Sequence, residues 1–298
     1  MVPISIRKRA HWLLILPPLL FLVVFFLVPF GFAFKISFAD AAIAIPPFTS
    51  LFGHRPDGHV TMTATLENYR YLVSDKVYIL SYIFSLRTAF FATFLCLLIG
   101  YPMAYAIALS SRGTQNVLLL LVILPFWTSF LLRVYALEGI ISEHGLLNNF
   151  LIWSGLIHQP LRIMNTTLAV YIGIVYSYLP FMILPLYATL EKLDRTLLEA
   201  AADLGTPGWR AFIDITLPLS LPGIIAGCML VFIPAIGEFV IPALLGGPDS
   251  LMIGRVLWDE FFDNHNWPVA SAVATVFLLL IAGPIALYQH TQMKAAAS

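Results

Sequence analysis

Charged and polar residues inside apolar stretches are the first candidates for chemistry in this chain. Glu238 stands in an apolar run from Leu219 to Leu245, and Arg87 and Arg133 stand in two earlier runs. A charge at bilayer depth costs ~2.5–3.5 kcal/mol on insertion scales, so such a residue faces a polar cavity or a partner. Glu238 can hold a cationic ammonium group, or it can pair structurally with Arg87 or Arg133. The rings of Trp127, Tyr176 and Tyr178 can add cation–π attraction of ~0.5–2 kcal/mol, or serve helix packing and the lipid interface. Asp259, Glu260 and Asp263 form an acidic stretch that reads either as an entry funnel or as a solvated loop. Nothing here is set up for catalysis. Neither a G-x-x-x-x-G-K-[ST] loop nor a G-x-G-x-x-G turn occurs. No G-x-S-x-G elbow occurs either. The seven histidines are scattered, and Cys96 and Cys228 lie apart in apolar runs, so neither a metal-site spacing nor a disulfide framework is present.

These residues need a bilayer around them. Of 298 residues, 60% are hydrophobic and 11% charged, whereas a soluble domain carries about 25% charged residues. The formal net charge is zero, so the basic face that a nucleic-acid partner requires is missing. About 20 apolar residues span the hydrocarbon, and six segments qualify. They run over 11–34, 77–109, 117–137, 166–190, 219–245 and 269–289. The expected fold is an all-α polytopic membrane helix bundle. Between the spans lie an external loop at 35–76 holding a short helix over 66–73, a turn at 110–116, and an external loop at 138–165 with an amphipathic interfacial helix over 146–157. Lys/Arg excess marks the cytoplasm. With both termini inside, Arg7, Lys8, Arg9, Arg112, Lys192, Arg195, Arg210 and Lys294 are cytoplasmic. Lys35, Arg55, Arg70, Lys76, Arg162 and Arg255 are spread over much longer external loops.

One loop stands out in that layout: Leu193 to Pro218, LDRTLLEAAADLGTPGWRAFIDITLP. It reads as two short helices around a break. Asp194 is the expected N-cap, with Leu193 and Leu198 as a hydrophobic staple. Leu197, Leu198, Ala201 and Leu204 share one face, and Arg195, Glu199 and Asp203 the opposite one. Gly205 suits a C′ position with positive φ. Thr206 is expected to cap the second helix with Pro207 in its first turn, and Trp209, Phe212 and Ile213 form its apolar side.

Glu199-Ala200-Ala201, three residues, Gly205, nine residues, then Ile215-Thr216-Leu217-Pro218 resembles the EAA loop of binding-protein-dependent ABC importer permeases at every fixed position. The LPFWTSFLLRVYA, GLLNNFL and GEFVIPALLGG runs and the stretch Asn264 to Ala270 resemble the spermidine/putrescine subgroup, over about Leu66 to Tyr288. The 46–58 insertion departs from the shortest members. The resemblance implies the type I permease fold, with 1–76 as cytoplasmic N-terminus, first span and external loop, 77–290 as the transmembrane domain, a coupling loop at 191–218, and 291–298 as a tail. It implies a bacterial inner-membrane permease rather than an enzyme, importing polyamines or a related small organic cation. It implies coupling to an ATPase through Glu199, Ala200, Ala201, Asp203, Leu204, Gly205 and Pro207, and a pathway that includes Glu238, Trp127, Tyr176 and Tyr178. It implies no cofactor on this chain, with ATP and magnesium on the partner. The implied partners are a homologous, non-identical second permease, two ATPase subunits, an extracytoplasmic binding protein and membrane lipid. A stand-alone secondary transporter or channel for a small amine is the alternative.

Overall fold

Apolar side chains all round a helix leave it no face to turn toward water, and the long helices of this chain have that character. The computed structural model describes residues 14–54 and 60–297. Arg7, Lys8, Arg9, Arg55, Pro56 and Gly58, the start of the first expected span and the Lys294 side chain lie outside what it describes. The helices are α1 (Leu14–Ile36), α2 (Glu67–Ser74), α3 (Lys76–Leu109), α4 (Arg112–Trp127), α5 (Phe130–Ile141), α6 (Leu146–Trp153), α7 (Thr167–Leu190), α8 (Thr196–Asp203), α9 (Gly208–Ile236), α10 (Val240–Leu245), α11 (Ile253–Trp258) and α12 (Trp267–Ala297). A two-stranded antiparallel hairpin pairs β1 (Phe52–His54) with β2 (Val60–Met62). The chain forms two compact units, one of residues up to 79 with those from 257 onward, the other of residues 80–256.

Four helices, α1, α3, α7 and α9, are each long and apolar enough to cross a bilayer. The third expected span is not a single rod. Over Leu124–Trp127, with Pro125 in its first turn, the end of α4 tightens to a 3₁₀ helix, Thr128 and Ser129 are extended, and α5 leaves at 96°. The Thr128 hydroxyl donates to the Pro125 carbonyl at 2.7 Å and so satisfies part of the break. Counted as one span, the bent pair is a fifth, and α12 contributes a shorter apolar stretch over Trp267–Gly283. The fifth expected span is displaced. Its helix starts at Gly208 and stops at Ile236, so the second short helix of the loop is the base of the span itself. The turn expected at 110–116 shrinks to Ser110 and Ser111, because α4 already begins at Arg112.

In the unit of residues 80–256, α7 packs along α9. Gly223 and Gly227, one turn apart, open a notch in α9 that lets α7 approach its backbone. A Cβ on Gly223 would lie 2.6 Å from Thr189 Oγ1 and 3.0 Å from the Pro185 carbonyl, and one on Gly227 would lie 2.7 Å from Met182 Sδ. Met182, Ile183, Leu186 and Val231 are buried at this seam. Helix α3 joins through Tyr101, whose hydroxyl lies 2.9 Å from Ser220 Oγ. The expected interfacial helix is shorter than predicted, ending at Trp153. Its Leu146, Phe150 and Trp153 are exposed, while Asn148 is fully buried. The Asn148 amide donates to the carbonyls of Ser142 and Leu161 and accepts from the Leu161 N–H.

In the other unit, α1 has no fully buried residue and carries Phe26, Phe30 and Phe34, a ladder that continues through Phe38 in the following turn to Tyr69. Asn68 on α2 donates to the carbonyls of Ser37 and Ala39. The acidic stretch is helical rather than a loop, a single π-turn over Asp259–Asp263. Glu260 accepts from the buried Tyr78 hydroxyl at 2.8 Å.

Substituting Gly223→Val should force α7 and α9 apart at backbone atoms. Overpacking of this kind costs ~1–3 kcal/mol. Thermal unfolding of the detergent-purified protein should shift down by several degrees, and Gly223→Ala should shift it less.

Candidate functional site: a glycine-hinged loop and a buried carboxylate

The first helix of the loop needs its leading N–H groups satisfied before it can start. The N-cap position is Arg195, without a side-chain cap bond, rather than the expected Asp194; α8 begins at Thr196, whose N–H is instead capped from one residue further back by Asp194 Oδ1 at 3.0 Å. The bonds from Thr196, backbone first and side chain second, hold the Asp194 carboxyl below its usual pKa. The contribution of this cap is therefore present above the ordinary carboxylate range and is lost as pH falls through the lowered folded value.

At the other end, Leu204 is the C-cap and Gly205 takes φ +77°. The Thr206 N–H bonds to the Ala201 carbonyl and the Gly205 N–H to the Ala202 carbonyl, both at 2.9 Å. This pair of bonds is a Schellman closure, and it requires the left-handed residue between them. The second cap is not Thr206. Pro207 itself occupies the N-cap with ψ 146°, and its carbonyl accepts from Arg210 and Ala211.

The faces also sort differently from the periodic expectation. Ala201 is buried and Leu198 half-buried, but Leu204 is 86% exposed and Leu197, Trp209 and Ile213 are exposed with it. Phe212 alone of the second group turns inward, meeting the edges of Tyr101 and Tyr105 at 5.5 and 5.8 Å between ring centroids. Glu199, Ala200, Asp203, Gly205 and Pro207 are exposed. Arg195 leaves the acidic stripe and donates from Nη2 to the Ala108 carbonyl at 2.9 Å. The loop's outward surface therefore mixes carboxylates with exposed leucine, isoleucine and tryptophan, the Trp209 ring carrying the Arg210 guanidinium at 5.2 Å.

Glu238 lies beyond the fifth span rather than within it, and it does not make the expected pairing with Arg87 or Arg133. It follows Gly237, outside any helix, where the fifth span ends and α10 begins. It is 7% exposed. Its Oε1 accepts from the N–H groups of Phe239, Val240 and Ile241 at 3.1, 3.0 and 3.3 Å, and its Oε2 accepts from the Tyr178 hydroxyl. Three donated N–H groups and the positive end of a helix stabilise a carboxylate where water is scarce. The expected pairing with Arg87 or Arg133 is absent. Arg87 is exposed, and the buried Arg133 guanidinium stacks over Phe126 and Phe130 at 5.1 and 5.7 Å.

Of the four pathway candidates, Tyr178 and Glu238 come together. Tyr176, two residues along the same helix, points about 200° away. It lines an apolar groove of about 460 Å³ with Met103, Pro125 and Ile183. Trp127, at the bend, is 75% exposed. The residues that sequence reasoning missed are Arg195 as a tether, Asn148 as a loop clamp and the Gly223–Gly227 notch. Only the notch has a local signal, its G-x-x-x-G spacing. Among the described residues no group of histidine, cysteine and acid side chains is arranged to hold a metal.

Glu238→Ala removes an acceptor from three buried N–H groups and a partner from Tyr178. Hydrogen bonds to a charged group contribute ~1.5–3 kcal/mol each, so the thermal midpoint should fall by several degrees. Glu238→Gln keeps an acceptor oxygen and should fall less.

The chain is similar to known proteins over nearly its full length. It is 43% identical over 240 residues to the spermidine/putrescine transport system permease protein PotB of Escherichia coli strain K12, covering 80% of this chain and 87% of that one. It is 46% identical over 224 residues to the protein of the same name from Haemophilus influenzae, covering 75% and 78%. Its fold matches a bacterial ABC transporter involved in the import of the acidic polysaccharide alginate, with a TM-score of 0.65 at 17% identity, over 97% of this chain and 96% of that one. The family model described as binding-protein-dependent transport system inner membrane component matches residues 12–291. The chain therefore belongs to that family, as a multi-pass permease of the inner membrane.

Proposed function

We propose that this permease forms one half of the translocation pathway of an ATP-driven importer for polyamines, spermidine or putrescine, or a related small organic cation. The observation that carries the reading is the loop from Glu199 to Pro207. It is closed by a left-handed glycine, and it presents acids and apolar side chains outward. A separate ATPase, carrying ATP and magnesium, docks there. Two such ATPases, a homologous second permease and an extracytoplasmic binding protein complete the assembly. The names of the 43–46% identical relatives support the cargo class. The basic density of the loops supports cytoplasmic termini and a cytoplasmic loop.

In this reading Glu238 is the fixed negative centre of the pathway. Its charge is held by backbone donors and Tyr178, so it acts on a passing ammonium group as a field rather than by swinging toward it. Tyr176 and Trp127 are exposed aromatic surfaces along the route.

The test is uptake into proteoliposomes that contain this chain with its partner permease, ATPase and binding protein. Radiolabelled putrescine or spermidine should accumulate only with ATP inside the compartment that holds the ATPase. Uptake by this chain alone, without ATP, would instead indicate a secondary transporter. Gly205→Val places a β-branched residue at φ +77°, a strain of ~1–3 kcal/mol, and should cut uptake at least tenfold in a complex that still assembles. Normal uptake in that variant would refute the docking role of the loop. Glu238→Gln should raise the KM for a cationic cargo several-fold, and unchanged uptake kinetics would remove Glu238 from the pathway.

A further inference from the structure

The loop of residues 191–218 is tied sideways as well as to the two spans it connects in sequence. Helix α3 ends at Leu109, and its last carbonyls have no partner within the helix. The Ala108 carbonyl is taken twice, by Arg195 Nη2 from the loop at 2.9 Å and by Gln115 Nε2 from α4 at 3.1 Å. Gln115 is buried. Nearby, Arg112 in the first turn of α4 pairs with Glu191, which directly follows α7. Each of these charges opposes the dipole of its own helix and suits that of the other, since a helix N-terminus favours anions and a C-terminus favours cations. Between the two links Tyr105, Leu109, Leu190, Leu193 and Leu198 close a cleft of about 20 Å³, room for about one water.

We propose that Arg195 is a positioning residue for transport: with the Arg112–Glu191 pair it locks the loop to the turn between α3 and α4, so that these two helices move with the loop as one body. The two links differ in strength. The Arg112 side chain is 83% exposed, so its ion pair is weakened by water and salt. Arg195 is exposed as well, but its bond is charge-assisted and ends on a carbonyl that the buried Gln115 also holds, which makes it the firmer link. Through α4 the motion reaches Pro125 and the bend before α5, a part of the membrane structure that the loop does not adjoin in sequence.

The inference rests on the proposed coupling of the loop to an ATPase, and its test separates the two. Spin labels are placed at Gly113→Cys, where an added Cβ meets nothing within 4 Å, and at exposed Thr196→Cys, in a Cys228→Ser background. The reconstituted complex is measured by double electron–electron resonance with and without ATP, alongside uptake per ATP hydrolysed. With Arg195 present the label distance should stay the same in both states. In Arg195→Ala it should change on ATP addition while uptake per ATP falls at least threefold, and Arg195→Lys should recover part of that loss. A nucleotide-dependent distance with Arg195 intact, or an unchanged uptake ratio in Arg195→Ala, overturns the proposal. Should Arg195→Ala fail to assemble, Arg112→Glu should lower the ratio and the added Glu191→Arg should restore it, and failure to restore overturns the proposal equally. Absence of ATP-dependent uptake in the unsubstituted complex refutes the coupling reading itself, before any variant is compared.

Discussion

A helix that stops inside an apolar surrounding leaves N–H and C=O groups that water cannot reach, and each must find a partner in the protein. This constraint decides where the chain can bend. At the end of the fifth span the Glu238 carboxylate takes three N–H groups of the following helix. At the bent third span the Thr128 hydroxyl turns back to the Pro125 carbonyl. The buried Asn148 amide holds the loop beyond it at three points. At the C-terminal end of α8 in the exposed loop the same need is met by backbone geometry, through Gly205. Among the charged and aromatic candidates inside apolar runs, Glu238 is the one whose side chain lets the backbone break.

That observation also accounts for what was legible in the sequence. The long apolar runs located α1, α3 and α7 to within a few residues, because a bilayer helix is set by length and polarity over some twenty positions. Gly205 was readable because caps are local chemistry, and the loop closes as its type requires, whereas the helix start lies one residue later than the Asp194 cap implied, although Asp194 still accepts from Thr196. Glu238 was misplaced into a span because hydropathy averages over a window and passes over a single acid. Gly237 followed by Glu238 and then an apolar run with Pro242 is nonetheless a helix stop and a helix start written side by side. Pro125 gave a similar warning for the third span. Proline alone does not distinguish a kink from a right-angled turn, because neighbouring groups decide how the freed backbone is satisfied.

Contacts between distant segments were out of reach. Arg195 has the spacing of a salt-bridge partner for Glu199, yet it serves a carbonyl 87 positions earlier in the chain. Thr206 has the composition of a cap, yet Pro207 takes the position because its own fixed φ already suits it. Tyr178 and Glu238, 60 positions apart, meet because α7 and α9 lie against each other in the Gly223–Gly227 notch. Periodicity tells which face of a helix is apolar, and only packing tells what that face meets.

The length of the helix between Gly208 and Ile236 has a geometrical consequence, although a π-turn over Phe212–Thr216 and the prolines Pro222 and Pro234 interrupt its regular hydrogen bonding. Helix α9 runs for 29 residues from the loop to the break before Glu238, and at 1.5 Å per residue such a rod is about 43 Å long. A tilt of only about 5° at its foot would carry its far end sideways by about 4 Å, on the scale of a small ion's passage. The fulcrum is therefore as important as the push: a long arm with a shallow swing needs no large displacement at its base to open or close a gap at its tip.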